Sequence, residues 1–286
     1  MTNLELGFWS FPVLLLMIFL RAPIGLAMLL CGFGGWYLAM GGNPTPLLSK
    51  LKSETYTTFS SYSLSIIPMF LLMGQFATLS GMSQALFKAA ESFLGHRRGG
   101  VAMAAVGACA GFGAICGSSL ATAATMSKVA LPELRRYGYS GGFSTATLAA
   151  GGTLGILIPP SVILVIYAIL TEQNIAKLFL AAFLPGVLAA IGYVITISIY
   201  VRLNPKSAGV RPAVPMGDRF KALANTWPVL VIFFVVVGGI YLGWFTPTEG
   251  AAVGAAGTGL AALLAGSLNW AVLRESLMGT AKTTGM

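Results

Sequence analysis

The sequence predicts an all-α integral membrane protein built partly from broken helices. Three observations predict this. Of 286 residues, 56% are hydrophobic and only 9% are charged, whereas a soluble domain carries about 25% charge. The mean hydropathy is +0.83, so too few polar side chains exist to cover a water-facing surface. The chain also holds 36 Gly and 14 Pro, more than straight Leu-rich spans require. These features exclude soluble enzymes and disordered chains. The net charge of +9, from 17 basic and 8 acidic residues, reads as a topology signal rather than a nucleic-acid footprint.

A span needs about 20 apolar residues. Residues 6–20 form the first candidate, closed by Arg21 and Pro23. They have no basic leader and no small-residue cleavage site, so they read as a span and not a signal peptide. Residues 24–40 form the second, followed by the turn-rich 41–46. Residues 62–79 form the third and contain Pro68. Residues 82–94 are too short and too polar to cross. Met82, Leu86, Ala89, Ala90, Phe93 and Leu94 recur at helical spacing, with Ser83, Gln84, Lys88, Glu91 and Ser92 opposite and Phe87 out of pattern. An amphipathic helix at the membrane interface is expected.

Residues 99–131 are apolar but crowded with Gly, Ala, Ser and Thr, and basic pairs flank them: Arg97-Arg98 before, Arg135-Arg136 after. With both pairs on one side, the stretch enters and returns as a re-entrant hairpin, its arms of about 15 residues too short to cross. Residues 140–170 read as a discontinuous helix, interrupted at Gly151–Gly155 and again at Pro159-Pro160-Ser161. Residues 176–200 form a span containing Pro185-Gly186, residues 202–221 a polar basic loop, residues 227–245 a span, and residues 251–268 a small-residue span after Thr246-Pro247-Thr248-Glu249-Gly250.

Placing the N-terminus outside collects Arg21, Lys88, Arg97, Arg98, Arg135, Arg136, Arg202, Lys206, Arg211, Arg219, Lys221, Arg274 and Lys282 inside, with Lys128 in the returning arm; only Lys50, Lys52 and Lys177 fall outside. This satisfies the positive-inside rule only if residues 99–131 form a hairpin. The chain then parses into scaffold spans and an interfacial arm (1–98), hairpin and broken helix (99–171), a span with a cytoplasmic loop (172–225), and the start of a second repeat (226–286).

Hairpin tips and helix breaks are the parts from which secondary transporters build midplane sites: freed carbonyls coordinate cations and half-helix N-termini face anions. Gly117-Ser118-Ser119 offers hydroxyls and carbonyls, Thr122 and Thr125 lie three apart on the following helix, and Gly151–Gly155 can add carbonyls. No carboxylate lies in either break, so Na⁺ held by neutral oxygens fits better than a proton relay. The same small residues also serve close helix crossings. Thr248 is the expected cap of the helix after Pro247, with Glu249 in its first turn. Cys31, Cys109 and Cys116 read as buried small residues without metal-ligand spacing. The lone His96 beside Arg97 and Arg98 reads as an interface residue. Ser118 or Ser119 as a nucleophile would need a base, which the sequence does not supply, so an enzyme is not expected.

Five stretches, in order, resemble the large membrane subunit of TRAP transporters, the tripartite ATP-independent periplasmic uptake systems. They are Ile66-Ile67-Pro68-Met69-Phe70, residues 117–124 (Gly-Ser-Ser-Leu-Ala-Thr-Ala-Ala), residues 155–161 (Gly-Ile-Leu-Ile-Pro-Pro-Ser), Leu178-Phe179 with Pro185-Gly186, and Phe245-Thr246-Pro247-Thr248-Glu249. The resemblance implies an elevator-type, Na⁺-coupled importer of organic acids (C4-dicarboxylates, keto acids or sialic acids) in a bacterial inner membrane. It implies a small four-helix membrane subunit and a periplasmic substrate-binding protein as partners, and no covalent cofactor. It places a first Na⁺ site at Gly117, Ser118 and Ser119 with Gly152, Thr153 and Gly155. Ser119, Thr122, Pro160 and Ser161 are then the candidate contacts of the organic anion. A channel or structural subunit, and a dicarboxylate carrier that needs no binding protein, remain alternatives.

The family is built as two inverted repeats, each with a hairpin and a broken helix, and this chain shows one of each. Pro23-Ile24-Gly25-Leu26-Ala27 resembles Pro247-Thr248-Glu249-Gly250-Ala251-Ala252, and the hairpin tip follows the first motif by about 90 residues. The same offset from the second motif runs past Met286. The expectation is therefore an incomplete second repeat, with the second hairpin, second broken helix and second Na⁺ site missing, and no transport by the 286 residues alone.

Overall fold

The computed structural model describes residues 3–285, which form helices and no strand. Two compact units are present: Met1–Leu64 with Lys282–Met286, and Ser65–Ala281. In the first, α1 (Asn3–Phe19) packs on α2 (Ile24–Ala39), and α3 (Thr45–Phe59) follows. Cys31 Sγ of α2 lies 3.9 Å from Met17 Sδ of α1, and Cys31 is half-buried rather than buried. Phe8, Phe11, Phe19 and Leu20 stay largely exposed, an apolar surface that suits lipid or another helix. No long apolar run marks α3 in the sequence, and it buries none of its residues. Its Lys50–Glu54 pair, 2.6 Å apart, is more than half exposed and contributes little.

The second unit holds α4 (Ile66–Leu79), α5 (Met82–Leu94), α6 (Gly100–Cys116), α7 (Ser119–Arg136), α8 (Gly141–Leu157), α9 (Val162–Leu170) and α10 (Ile175–Leu203). Then come α11 (Met216–Ala224), α12 (Trp227–Phe233), α13 (Gly239–Tyr241), α14 (Pro247–Leu264) and the start of α15 (Trp270–Thr284). The helix α6 is apolar on every side, and such a helix must be surrounded. It packs against α4, α5, α7, α8, α10 and α12, and Val101, Ala102, Ala104, Ala105, Cys109 and Phe112 are sealed at its core. Small residues let α14 lie on α4: Gly254 faces Met73 Sδ and Gly259 faces the Phe76 ring. The 29-residue α10 is long and apolar enough to cross a membrane by itself; α8 with α9 meets the same test as a pair bent by 44°.

Four expectations need correction. Gly151–Gly155 do not interrupt the helix: α8 runs continuously to Leu157, and the break begins only at Ile158. The loop 202–221 is not irregular throughout, because Met216–Ala224 forms α11, whose Phe220 meets Phe93 edge-on at 6.4 Å. The span 227–245 is not a regular helix; Phe234–Gly238 makes a π-helical turn between α12 and α13. The cap of α14 is Thr246, not Thr248. Its hydroxyl accepts the Glu249 N–H at 3.3 Å, while Glu249 Oε2 accepts the Thr246 N–H at 2.8 Å. Pro247 takes the first helical position, where a missing N–H costs nothing.

The helix α5 also differs from its pattern. Phe87 is buried, and so are Ser83, Glu91 and Ser92, on the side expected to be polar and exposed. Leu86 and Ala90 lie against Gly111 and Gly107 of α6, so α5 is packed on two faces. Glu91 tolerates burial because the segment before α11 reaches it. Arg211 brings its guanidinium to 2.9 Å from Glu91 Oε2, and its N–H donates to the Gly95 carbonyl at 3.1 Å. The same segment accepts the Ser140 N–H on the Ser207 carbonyl at 3.1 Å. A polar cavity of about 720 Å³ lies between α5, α7 and α11, lined by Lys88, Glu91, Lys128, Arg136, Arg211 and Asp218 among others.

Candidate functional site

The hairpin tip and the helix break meet. Gly117 ends α6 in the left-handed conformation, φ +64°, with its N–H donating to the Gly113 carbonyl at 2.9 Å; only glycine enters this region cheaply. Ser118, extended, starts α7, its hydroxyl accepting the Ala121 N–H at 3.4 Å. Ser161 does the same for α9, accepting the Leu164 N–H at 3.4 Å. The Val162 N–H of α9 donates to the Gly117 carbonyl at 3.1 Å, which ties the break to the tip. Two helix N-termini, α7 and α9, and two C-termini, α6 and α8, therefore converge.

Pro159 and Pro160 determine which carbonyls are free. A helical carbonyl is satisfied by the N–H four residues on, and proline has none. The carbonyls of Gly155 and Ile156 face Pro159 and Pro160 at that position and so lose their helical donors. The Ile158 carbonyl loses its own, because the Val162 N–H is given to Gly117. Gly151, Gly152 and Thr153 sit inside the helical ladder of α8. Gly155 thus lies in the last turn of α8 before the break, whereas Gly152 and Thr153 lie up to one turn earlier.

Close approach makes Gly155 the junction. A β-carbon there would fall 2.5 Å from Thr122 Oγ1 and 2.8 Å from the Ser118 carbonyl; one on Gly113 would fall 2.6 Å from Gly155 Cα. Gly152 is pressed on Ala123 and the Ser119 carbonyl in the same way. The bare backbone of Gly113 thus admits α8 to the tip. The Thr122 hydroxyl is fully buried and has no hydrogen-bond partner of good geometry among the described residues, the Cys116 thiol being its polar neighbour. Thr125 is buried one turn further along α7. The Thr153 hydroxyl points elsewhere: it is 2.6 Å from the Ala150 carbonyl and 2.9 Å from Tyr193 Oη on α10. Pro160 lies at the tip contact, its carbonyl 2.7 Å from where a Gly117 β-carbon would be.

This geometry supplies hard neutral oxygens beside two positive helix ends. Among the described residues no three His, Cys, Asp or Glu side chains gather, so the donors are carbonyls and hydroxyls, which suit a hard cation. Replacing Thr122 by valine tests the sealed hydroxyl. Exchanging a buried hydroxyl whose polar neighbour is only a weakly bonding thiol for a methyl of the same shape should leave thermal stability unchanged or raise it by about 1 kcal/mol. If thermal unfolding shows a large loss instead, the hydroxyl has a partner in the resting fold.

A profile of the tripartite ATP-independent periplasmic transporter DctM component matches residues 11–286. The chain belongs to the DctM family. It is 39% identical over 214 residues to the C4-dicarboxylate TRAP transporter large permease protein DctM of Pseudomonas aeruginosa, covering 75% of this chain and 50% of that protein. It is 30% identical over 275 residues to the ectoine TRAP transporter large permease protein TeaC of Halomonas elongata, covering 94% of this chain and 62% of that protein. It is 30% identical over 250 residues to the sialic acid TRAP transporter permease protein SiaT of Haemophilus influenzae, covering 85% and 39%. The chain spans about half the length of the curated relatives it matches. The DctM family is a family of transporter components and not of enzymes.

Proposed function

We propose that this chain supplies the first hairpin and broken helix of a Na⁺-coupled importer of organic anions in a bacterial inner membrane. The observation that carries the reading is the convergence of α6, α7, α8 and α9 at Gly117–Ser118 and Ile158–Ser161. Freed carbonyls at the end of α8 attract a cation, and the N-termini of α7 and α9 attract a carboxylate. Co-binding is favourable because each charge lowers the electrostatic cost of the other. The Na⁺ ligands are drawn from Gly117, Ser118, Ser119 and Gly155, with Gly152 and Thr153 in support; the anion contacts are drawn from Ser119, Thr122, Pro160 and Ser161.

Coupling follows from population shift. Na⁺ and substrate together stabilise the closed junction, and only that loaded form crosses. In the proposed cycle the hairpin and broken helix move as a body against scaffold helices, the elevator motion, within a protein of two inverted repeats. A small four-helix membrane subunit and a periplasmic binding protein complete the system, the latter delivering the substrate, and the N-terminus lies on the periplasmic side. The names of the relatives span dicarboxylate, ectoine and sialic acid; an organic acid is the substrate class proposed here.

The test is uptake of labelled dicarboxylate, keto acid and sialic acid into proteoliposomes. They contain a complete permease that includes these 286 residues, its small subunit and its binding protein, with an inward Na⁺ gradient or K⁺ in its place. Na⁺-dependent accumulation is expected. Replacing both Ser118 and Ser119 by alanine should raise the Na⁺ concentration for half-maximal uptake about tenfold, equivalent to about 1.4 kcal/mol. Unchanged Na⁺ dependence in the double variant would remove these residues from the ion site; uptake indifferent to Na⁺ would remove the coupling.

A further inference from the structure

One hydroxyl pair beside the junction lies outside the hairpin contact. Thr153 lies on α8 two residues before Gly155. Its hydroxyl sits 2.6 Å from the Ala150 carbonyl and 2.9 Å from Tyr193 Oη. A threonine hydroxyl has one proton. With that proton given to the Ala150 carbonyl, the phenol of Tyr193 is the donor to Thr153 Oγ1. The ring of Tyr193 lines a crevice of about 320 Å³ with Val106, Phe143, Thr147, Thr196 and Tyr200.

The position of Tyr193 on α10 gives this bond a purpose. Tyr193 and Gly186 are seven residues apart, hence on one face of the helix. Gly186 lies under the break, where a β-carbon would come 2.9 Å from Ile158 Cγ1 and 3.2 Å from the Leu157 carbonyl. So α10 meets the end of α8 at two points, a bare backbone at the break and a phenol one turn before it. The glycine face of α8 meets the hairpin through Gly152 and Gly155. The turn that carries the freed carbonyls is therefore held between α7 and α10.

We propose that Tyr193 is a positioning residue for the cation site: its hydroxyl, acting through Thr153, fixes the rotation of the last turn of α8 and so the aim of the Gly155 and Ile156 carbonyls. It touches neither ion nor substrate. This inference rests on the Na⁺ reading of the junction. It assigns to α10, outside the hairpin and the broken helix, a part in ion affinity that needs one hydroxyl and no ligand atom.

The experiment uses the full chain in lipid nanodiscs and follows thermal unfolding against Na⁺ concentration, with choline chloride holding ionic strength. Tyr193→Phe removes one oxygen and keeps the ring in its crevice. Loss of one hydrogen bond of this kind should shift the Na⁺ midpoint about fivefold to higher concentration, with little change in the unfolding temperature without Na⁺. Thr153→Val should shift it similarly, and Thr153→Ser, which keeps the hydroxyl, should restore it. If Tyr193→Phe does not fold, the Thr153 pair carries the same comparison. A variant that lowers the unfolding temperature equally with and without Na⁺, leaving the midpoint in place, would mean the bond is merely structural and would overturn the proposal alone. An unaltered chain indifferent to Na⁺ would overturn the ion site and this role together.

Discussion

Gly155→Ala is expected to lose the Na⁺-dependent part of stability and to destabilise the second unit by about 1–3 kcal/mol, the usual cost of forcing a methyl into a closed contact. Its β-carbon would arrive 2.5 Å from Thr122 Oγ1 and 2.8 Å from the Ser118 carbonyl. Neither neighbour can retreat easily. The Thr122 side chain is fully buried, and the Ser118 carbonyl already accepts the Thr122 N–H at 3.0 Å. The hairpin and α8 must separate, and the freed carbonyls move away from the tip. Gly142→Ala is the control, because nothing lies within 4 Å of a β-carbon there. Alanine in an open helical position should stabilise by about 0.5–1 kcal/mol. Thermal unfolding of both variants in Na⁺ and in choline separates the effects. Equal behaviour of the two variants would show that the tip and α8 are not in the contact described.

Arg211→Ala should cost more. It leaves the Glu91 carboxylate almost wholly buried, with Oε2 stripped of its partner at 2.9 Å and Oε1 already lacking one. Removing one member of a buried pair typically costs about 3–5 kcal/mol. In an unfolding experiment that is a fall of about 10 °C for a unit of this size. The double variant Glu91→Gln with Arg211→Ala should recover much of it, because no charge then stays behind. A loss below about 1 kcal/mol for Arg211→Ala alone would mean that Glu91 escapes to water through the polar cavity.

The pH dependence has a definite sign. Burial holds the Glu91 carboxyl above its ordinary range, Arg211 opposing this only in part; Glu133 adds to the rise, while Arg136 and Lys88 oppose it. A carboxyl raised in the folded state contributes most to stability below its unfolded value and loses that contribution as pH rises through the folded one. Acidification from neutral pH toward 5 therefore takes no stability away through Glu91. In Arg211→Ala the chief opposing charge is gone, so the deficit should be largest at neutral pH and shrink on acidification. Unfolding temperatures of the variant and the unaltered chain across pH 5–8 check this; a deficit independent of pH would count against an ionised Glu91.

Much of the fold was legible because some residues act through their own backbone. Gly117 and Ser118 end one helix and start the next. Pro159 and Pro160 remove N–H groups whatever surrounds them, and Ser161 then caps α9. Gly151–Gly155 misled the reading because glycine only permits a break. Three helices meeting at Gly113, Gly152 and Gly155 use those glycines to approach one another, and α8 stays regular. The inward turn of Glu91 was equally hidden, since its partner Arg211 lies 120 residues away in a segment that reads as solvent-exposed loop. α3 escaped because its few apolar residues are scattered among polar ones and none is buried.

The sequence by itself determined the helical membrane class, the family resemblance and the two places where the backbone must turn, because composition and proline or glycine chemistry are local. Only the tertiary structure decided that the Ile158 carbonyl joins those freed by Pro159 and Pro160, because the Val162 N–H goes to Gly117 instead. It alone showed that the Thr122 hydroxyl is sealed without a good partner, that Thr153 bonds Tyr193, and that Arg211 neutralises Glu91. Each of these depends on distances between segments far apart in the chain. Packing sets such distances, and an apolar pattern shared by every helix cannot encode them.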